Sequence, residues 1–295
     1  MDTTLVTDSA GNRSLPKQFL LSERDIDAPS EWLKIRVGDR YLYKAPELPI
    51  IRIERRRANN PPAHAEFILG WFVYEGKAFP NSHAGALQTN DSIEDIYNGM
   101  TGRFVIISFC PGGFRCLTDP GGLLPVVYRK TEGDIASTPR ALELAFPIVT
   151  DEKIREGFVR QDGTVWYAFG TTPFSSVDRL LPATILQMPT GKTTAIPGEA
   201  EAMPSAQAVE YLYEHSRSFI SALSELGTLE CHLTAGWDSR MVLSAAMQSS
   251  AQVDYITYRT PGASGSIDCQ ISRLIAQRHS LDHQEIALQP ANQQD

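Results

Sequence analysis

The residues with the clearest capacity for chemistry lie between Thr228 and Ala246, in T-L-E-C-H-L-T-A-G-W-D-S-R-M-V-L-S-A-A. Leu229, Cys231 and Leu233 alternate, a small polar turn Thr234-Ala235-Gly236-Trp237-Asp238-Ser239 follows, and Met241, Val242, Ala245 and Ala246 recur at helical spacing. This pattern predicts a strand, a turn and a helix. The first N–H groups of a helix lack internal partners and point outward with the positive end of the dipole, so such a turn suits a phosphate. Small Ala235 and Gly236 let an anion approach the main chain, and the hydroxyls of Thr234 and Ser239 can donate further hydrogen bonds. Asp238 is the odd member, because a carboxylate beside a phosphate is repulsive unless a divalent cation sits between them. It therefore implies Mg²⁺ if the anion is ATP or pyrophosphate. The plainer alternative is an ordinary strand-to-helix turn with Asp238 or Ser239 as its N-cap.

T-A-G-W-D-S resembles the S-G-G-x-D-S pyrophosphate loop of the asparagine synthetase and N-type ATP pyrophosphatase family, with Thr234 for Ser and Ala235 for the first Gly. Tyr255 to Ile286 extends the match through a strand Y-I-T-Y, a Gly/Ser loop, Asp268, an amphipathic helix and His283-Gln284-Glu285-Ile286. The resemblance implies the start of a parallel doubly wound sheet, adenine nucleotide α-hydrolase-like, with ATP and Mg²⁺ as cofactors. It places pyrophosphate on the backbone of Ala235, Gly236, Trp237, Asp238 and Ser239 and on the hydroxyls of Thr234 and Ser239. Asp238 would hold the metal, and Leu233 and Tyr258 would flank adenine. Trp237 occupies the family's variable position and reads as a packing residue. Asp268 aligns with the family's Asp at a helix start, which N-capping explains equally well.

The elements that must position this loop start upstream. A chain of 295 residues with 42% hydrophobic content suffices for two domains with packed cores. A net charge of −8 argues against nucleic acid or an anionic membrane as partner. The run Arg52, Arg55, Arg56, Arg57 reads as a solvated strand end. No apolar run approaches the roughly 18 to 20 residues that cross a bilayer, and no basic-then-apolar signal pattern opens the chain, so a cytoplasmic location is expected. The four cysteines lack C-x-x-C spacing and read as reduced, mostly buried thiols; His279 and His283 are four apart without an evident third zinc ligand.

Residues 1–30 are polar and without period, and read as a loose leader. From Trp32, short alternating runs divided by Gly, Pro and Asn59-Asn60-Pro61-Pro62 predict strands, with one helix over Asp91 to Gly99. Pro111-Gly112-Gly113 marks a hairpin turn. Thr118 to Tyr128 and Ile135 to Leu142 resemble the R-D-x-x-G-x-x-P-L-Y-Y and F-A-S-E-x-x-A-L segments of class II glutamine amidotransferase domains, which implies an Ntn-type αββα sandwich over residues 31–200. Such domains use an N-terminal cysteine as nucleophile with its own α-amino group as base, whereas this chain begins Met1-Asp2. Cys110 would serve only after cleavage inside a predicted strand. A structural or docking role without glutaminase activity is expected.

Residues 145–200 read as a connection, in which Trp166 to Phe174 and Val177 to Pro182 together resemble the family's inter-domain passage with Ala183 in place of its Gly, and Gly191-Lys192-Thr193 reads as a hairpin turn. Ser205 opens a helix to about Leu226, with Val209, Leu212, Phe219, Leu223 and Leu226 near one face, expected to cover the sheet that follows. About 65 residues after Thr228 allow two strands and two helices, so residues 204–295 read as an incomplete ATP pyrophosphatase domain, completed by a missing C-terminal segment or a partner chain. The expected fold class is α+β then α/β. The expected function is an ATP-dependent amide ligase joining a small-molecule or peptide carboxylate to ammonia or an amine. The alternative is a catalytically silent binding or assembly module.

Overall fold

The computed structural model describes residues 15–55, 65–80, 85–160, 164–197, 202–259 and 267–288. The chain divides into two compact units, Met1–Phe72 with Ser82–Gly198, and Val73–Asn81 with Glu199–Asp295. In order, the first half runs β1 (Phe19–Ser22), β2 (Leu33–Val37), β3 (Arg40–Lys44), β4 (Ile50–Arg55), β5 (Glu66–Tyr74), β6 (Lys77–Phe79), β7 (Ala86–Thr89) and α1 (Ile93–Gly99). It continues with β8 (Met100–Cys110), β9 (Gly113–Thr118), β10 (Val127–Tyr128), β11 (Ile135–Ala136), α2 (Pro139–Leu142), α3 (Glu152–Gly157), β12 (Asp178–Arg179), β13 (Thr184–Met188) and β14 (Lys192–Ala195). The second unit then contributes α4 (Ser205–Leu223), β15 (Leu229–His232), α5 (Trp237–Met247), β16 (Val253–Arg259), α6 (Ile267–His279) and β17 (His283–Ala287). The class is mixed α/β, and no helix among the described residues is long and apolar enough to cross a membrane.

In the first unit one sheet has the order β12-β10-β11-β1-β3-β2, and the path β14-β13-β9-β8-β5-β4-β7 forms the other. Their inner faces share one core, in which Phe19, Leu21 and Leu42 meet Leu69, Val105, Ile107, Phe114 and Leu186. Leu20 points the other way, into a second cluster with Tyr43, Val127 and Ala136 that Ala141 and Leu142 of α2 help to close. On the outer face of the second sheet Tyr97 of α1 meets the Phe104 ring edge-on at 6.0 Å. Ser92 caps α1 through a reciprocal box with Asp95, and Ile93, Ile96 and Tyr97 are buried.

Three sequence expectations change here. Residues 15–22 do not behave as a leader, because β1 sits between β11 and β3 and is buried along its length. A strand buried on both faces reads as a continuous apolar run without period, so F-L-L was too short to stand out. Residues 145–197 are more than a connection, since β12 extends one sheet and the β13–β14 hairpin the other. Arg55 does not merely end a solvated strand: it pairs with half-buried Glu66 and donates to the Asp91 carbonyl, while Arg56 and Arg57 lie outside the described residues.

Asp119 and Ala183 each mark a turn of this unit. The Asp119 carboxylate, fully buried, accepts the N–H groups of Gly121, Leu123, Leu124 and Phe104 at 3.0, 2.9, 2.9 and 3.3 Å, which folds D-P-G-G-L-L back on itself. Ala183, where the resembling passage has Gly, stands at φ +55°, the left-handed region that costs an L-residue about 1–2 kcal/mol.

The second unit is built on a three-stranded parallel sheet, β15-β16-β17. Both connections step the same way across it, so right-handed crossovers put α5 and α6 on one face. Leu243 of α5 and Ile275 of α6 accordingly share a cluster with Cys231, Leu233 and Tyr255. Helix α4 does not cover this sheet with its whole stripe: Phe219, Ala222 and Leu223 pack with Val73 and Ala78, whereas Val209 and Leu212 are 67% and 53% exposed.

Candidate functional site

The loop between β15 and α5 is positioned from below by Thr257, a buried residue of β16. Its hydroxyl donates to the Leu233 carbonyl at 2.6 Å and lies 2.8 Å from His283 Nε2. A hydroxyl has one hydrogen and a carbonyl can only accept, so His283 must donate from Nε2. The three strands are thereby tied together where the loop begins.

Within the loop the sequence-predicted groups divide into committed and uncommitted. The hydroxyls of Thr234 and Ser239 lie 2.8 Å apart, Ser239 Oγ accepts Thr234 N–H, and Thr234 Oγ1 accepts Gly236 N–H at 3.1 Å. Ala235 N–H donates to Asp268 Oδ1 at 2.8 Å, across 33 residues. Asp268 lies in the first turn of α6, and this bond gives it a task that capping does not describe.

Helix α5 starts after Gly236, in extended conformation, and no side chain caps it. The alternative in which Asp238 or Ser239 caps the turn therefore does not hold. In a helix starting there, the amides of Trp237, Asp238 and Ser239 have no intrahelical acceptor, and no described side chain takes them. Asp238 is exposed and makes no hydrogen bond or ion pair among the described residues. Three outward amides and one unpaired carboxylate thus share the first turn.

Trp237 is not a packing residue, being 82% exposed with the Arg240 guanidinium 4.3 Å from its ring centre. Arg240 Nε also donates to the Gly236 carbonyl, so this side chain closes over the turn. Leu233 and Tyr258 do not come together as an adenine clamp. Leu233 is fully buried on the helix-covered face with Cys231, while the strand register puts Tyr258 on the opposite face beside His232, ring centres 4.9 Å apart. Strand alternation is the reason, since equivalent positions on adjacent parallel strands differ here by 24 residues and Leu233 and Tyr258 by 25.

Around the site, burial pushes the Cys231 thiol up, which keeps it protonated and packed rather than nucleophilic. Hydrogen bonding from Arg273 holds the Glu285 carboxyl below its ordinary range. All four cysteines are free thiols, three of them buried. Thr257, Arg240 and the loop contact of Asp268 were not legible as site features: a Thr in a strand and a residue of the next helix carry no local signal of whom they meet. The chain matches no family model and no curated protein.

Proposed function

We propose that the chain carries the nucleotide-binding part of an asparagine synthetase-like amide ligase. On this reading the first unit, with short helices outside two stacked sheets, corresponds to an Ntn-type αββα sandwich, and the second to the start of an adenine nucleotide α-hydrolase-like sheet. A substrate carboxylate attacks the α-phosphate of ATP, pyrophosphate leaves, and ammonia or an amine then displaces AMP. The observation that carries the reading is the first turn of α5, where the amides of Trp237, Asp238 and Ser239 and the Asp238 carboxylate all lack protein partners among the described residues. Main-chain amides of this kind suit a departing pyrophosphate, because fixed dipoles stabilise developing negative charge without reorganising.

Mg²⁺ typically takes one or two carboxylates together with phosphate oxygens and water, so the single hard donor Asp238 fits it. When bound there it would neutralise charge on the phosphates. The chain's own residues orient and hold: Asp268, Thr257 and the Thr234–Ser239 pair shape the loop, and the three amides align the anion. On the face opposite α5 and α6, His232 and Tyr258 are exposed among the described residues, which supports completion of the pocket by further polypeptide, of this chain or of a partner.

A second reading, a catalytically silent binding or assembly module, is favoured by the loop groups that already satisfy one another, Thr234, Ser239 and the Ala235 and Gly236 amides. Exchange of labelled pyrophosphate into ATP separates the two. The ligase reading expects carboxylate-dependent exchange, by this chain or by a longer product containing it, abolished by Asp238→Ala. No exchange in either, with ATP binding unchanged in Asp238→Ala, leaves the silent module.

A further inference from the structure

The first unit holds a cavity of about 530 Å³ that the ligase reading does not use. It opens past the C-terminal end of β1, at Glu23, not at the end where Lys17 and Gln18 enter. The β2–β3 turn forms one wall, the β8–β9 turn another, and Pro189 after β13 a third. Gly38 and Gly112 stand in these turns with open space where a Cβ would project, so the main chain itself borders the cleft.

Its floor is a built feature. The Arg40 side chain is 5% exposed, its guanidinium centred 5.1 Å from the Phe114 ring and donating to the Gly133 carbonyl at 2.8 Å. Gly133, at φ +72°, runs against that guanidinium, where an added Cβ would lie 2.7 Å from its nearest nitrogen. Its counter-ion Glu23 is 55% exposed and stands on the rim. The buried Asp134 carboxylate also acts on this guanidinium, so Glu23, Asp134 and the Gly133 carbonyl together offset its burial, and the fork of Arg remains suited to a ligand carboxylate.

The rest of the lining narrows the class. Arg36 and Asp39 are exposed beside Arg40 and Glu23, so two positive and two negative groups face one space. Balanced charge disfavours both a polyphosphate and a polyamine. Val37, Ala65, Phe109 and Pro189 supply apolar wall. A half-open cleft of this size, with four charged groups facing it and an apolar wall beside them, has room for a small charged molecule.

We propose that this cleft binds a free α-amino acid with an apolar side chain. The carboxylate lies on Arg36 and Arg40, the ammonium on Glu23 and Asp39, and the side chain against Val37, Phe109 and Pro189. This goes beyond the ligase reading and does not depend on it.

Calorimetric titration of the full 295-residue chain with L-leucine and L-phenylalanine tests it, alongside N-acetyl-L-leucine, which lacks the ammonium, and L-leucinamide, which lacks the carboxylate. Both amino acids should bind one site, and each blocked analogue should bind at least about tenfold more weakly, the loss of one charged hydrogen-bonding partner. Arg36→Ala and Asp39→Ala, at exposed positions that leave the Arg40 floor intact, should each weaken leucine by a similar factor with unchanged thermal unfolding. Absence of binding by both amino acids up to about 10 mM, where even a weak specific site registers, overturns the proposal. So does a blocked analogue that binds as well as leucine, or undiminished binding in both variants.

Discussion

Replacing Asp268 by Ala should loosen the candidate loop at one identifiable atom, the Ala235 amide. The carboxylate oxygen accepts this N–H at 2.8 Å from a half-buried position, and no other described group bonds it. A hydrogen bond to a charged acceptor contributes about 1.5–3 kcal/mol. Partial solvent access puts this one near the lower end, about 1.5–2 kcal/mol. At about 1.4 kcal/mol per decade, the Ala235 amide should exchange its hydrogen roughly ten to thirty times faster in Asp268→Ala. Asp268→Asn keeps an acceptor without the charge and should give about half that free energy, a three- to fivefold acceleration. The Trp237 and Asp238 amides, which lack a protein acceptor, should exchange rapidly in all three proteins. Residue-resolved hydrogen exchange by NMR reads each of these rates. Unchanged exchange at Ala235 in Asp268→Ala, or an Asn variant as loosened as the Ala variant, would refute the reasoning.

Thr257→Val removes a buried hydroxyl that serves both the Leu233 carbonyl and His283, and should cost about 1–3 kcal/mol in urea denaturation, with Thr257→Ser recovering most of it. Asp119→Leu strands four backbone donors, three of them in one turn, and should cost about 4 kcal/mol or prevent folding of the first unit; a midpoint within error of the parent would contradict the assigned role. Ala183→Gly relieves a left-handed backbone and should stabilise by about 0.5–1 kcal/mol, read as a rise in Tm. Burial raises the Asp134 carboxyl, against a Ser22 hydrogen bond and the charges of Arg129, Arg40 and Arg24. A folded-state pKa above the unfolded one gives stability that is complete at acid pH and lost as pH rises through the folded value, so the Tm of Asp134→Asn minus that of the parent should climb as pH rises above the ordinary aspartate value of about 4. A flat or falling difference would show that desolvation does not dominate there.

Local chemistry was legible in the sequence wherever it was periodic or depended on near neighbours. The strand-turn-helix over Leu229–Met247, the Ser92 cap of α1 and the Pro111–Gly113 hairpin turn each follow from residues within a few positions of one another. Asp238 at the first turn of α5 belongs to the same class, because helix geometry alone places it beside the open amides.

Tertiary structure decided which groups those amides and side chains meet. Ala235 bonds Asp268 from 33 positions away, and Glu23 reaches Arg40 only because β1 and β3 pair across the sheet. The face on which Leu233 and Tyr258 lie was settled by strand register, which a single-residue offset reverses. Sequence determines such pairings only through the packing of the whole chain, since a buried run like Phe19–Leu21 or a carboxylate like Asp268 has no local mark of its partner. Periodicity records which side of an element avoids water; it does not record what stands on the other side of the contact.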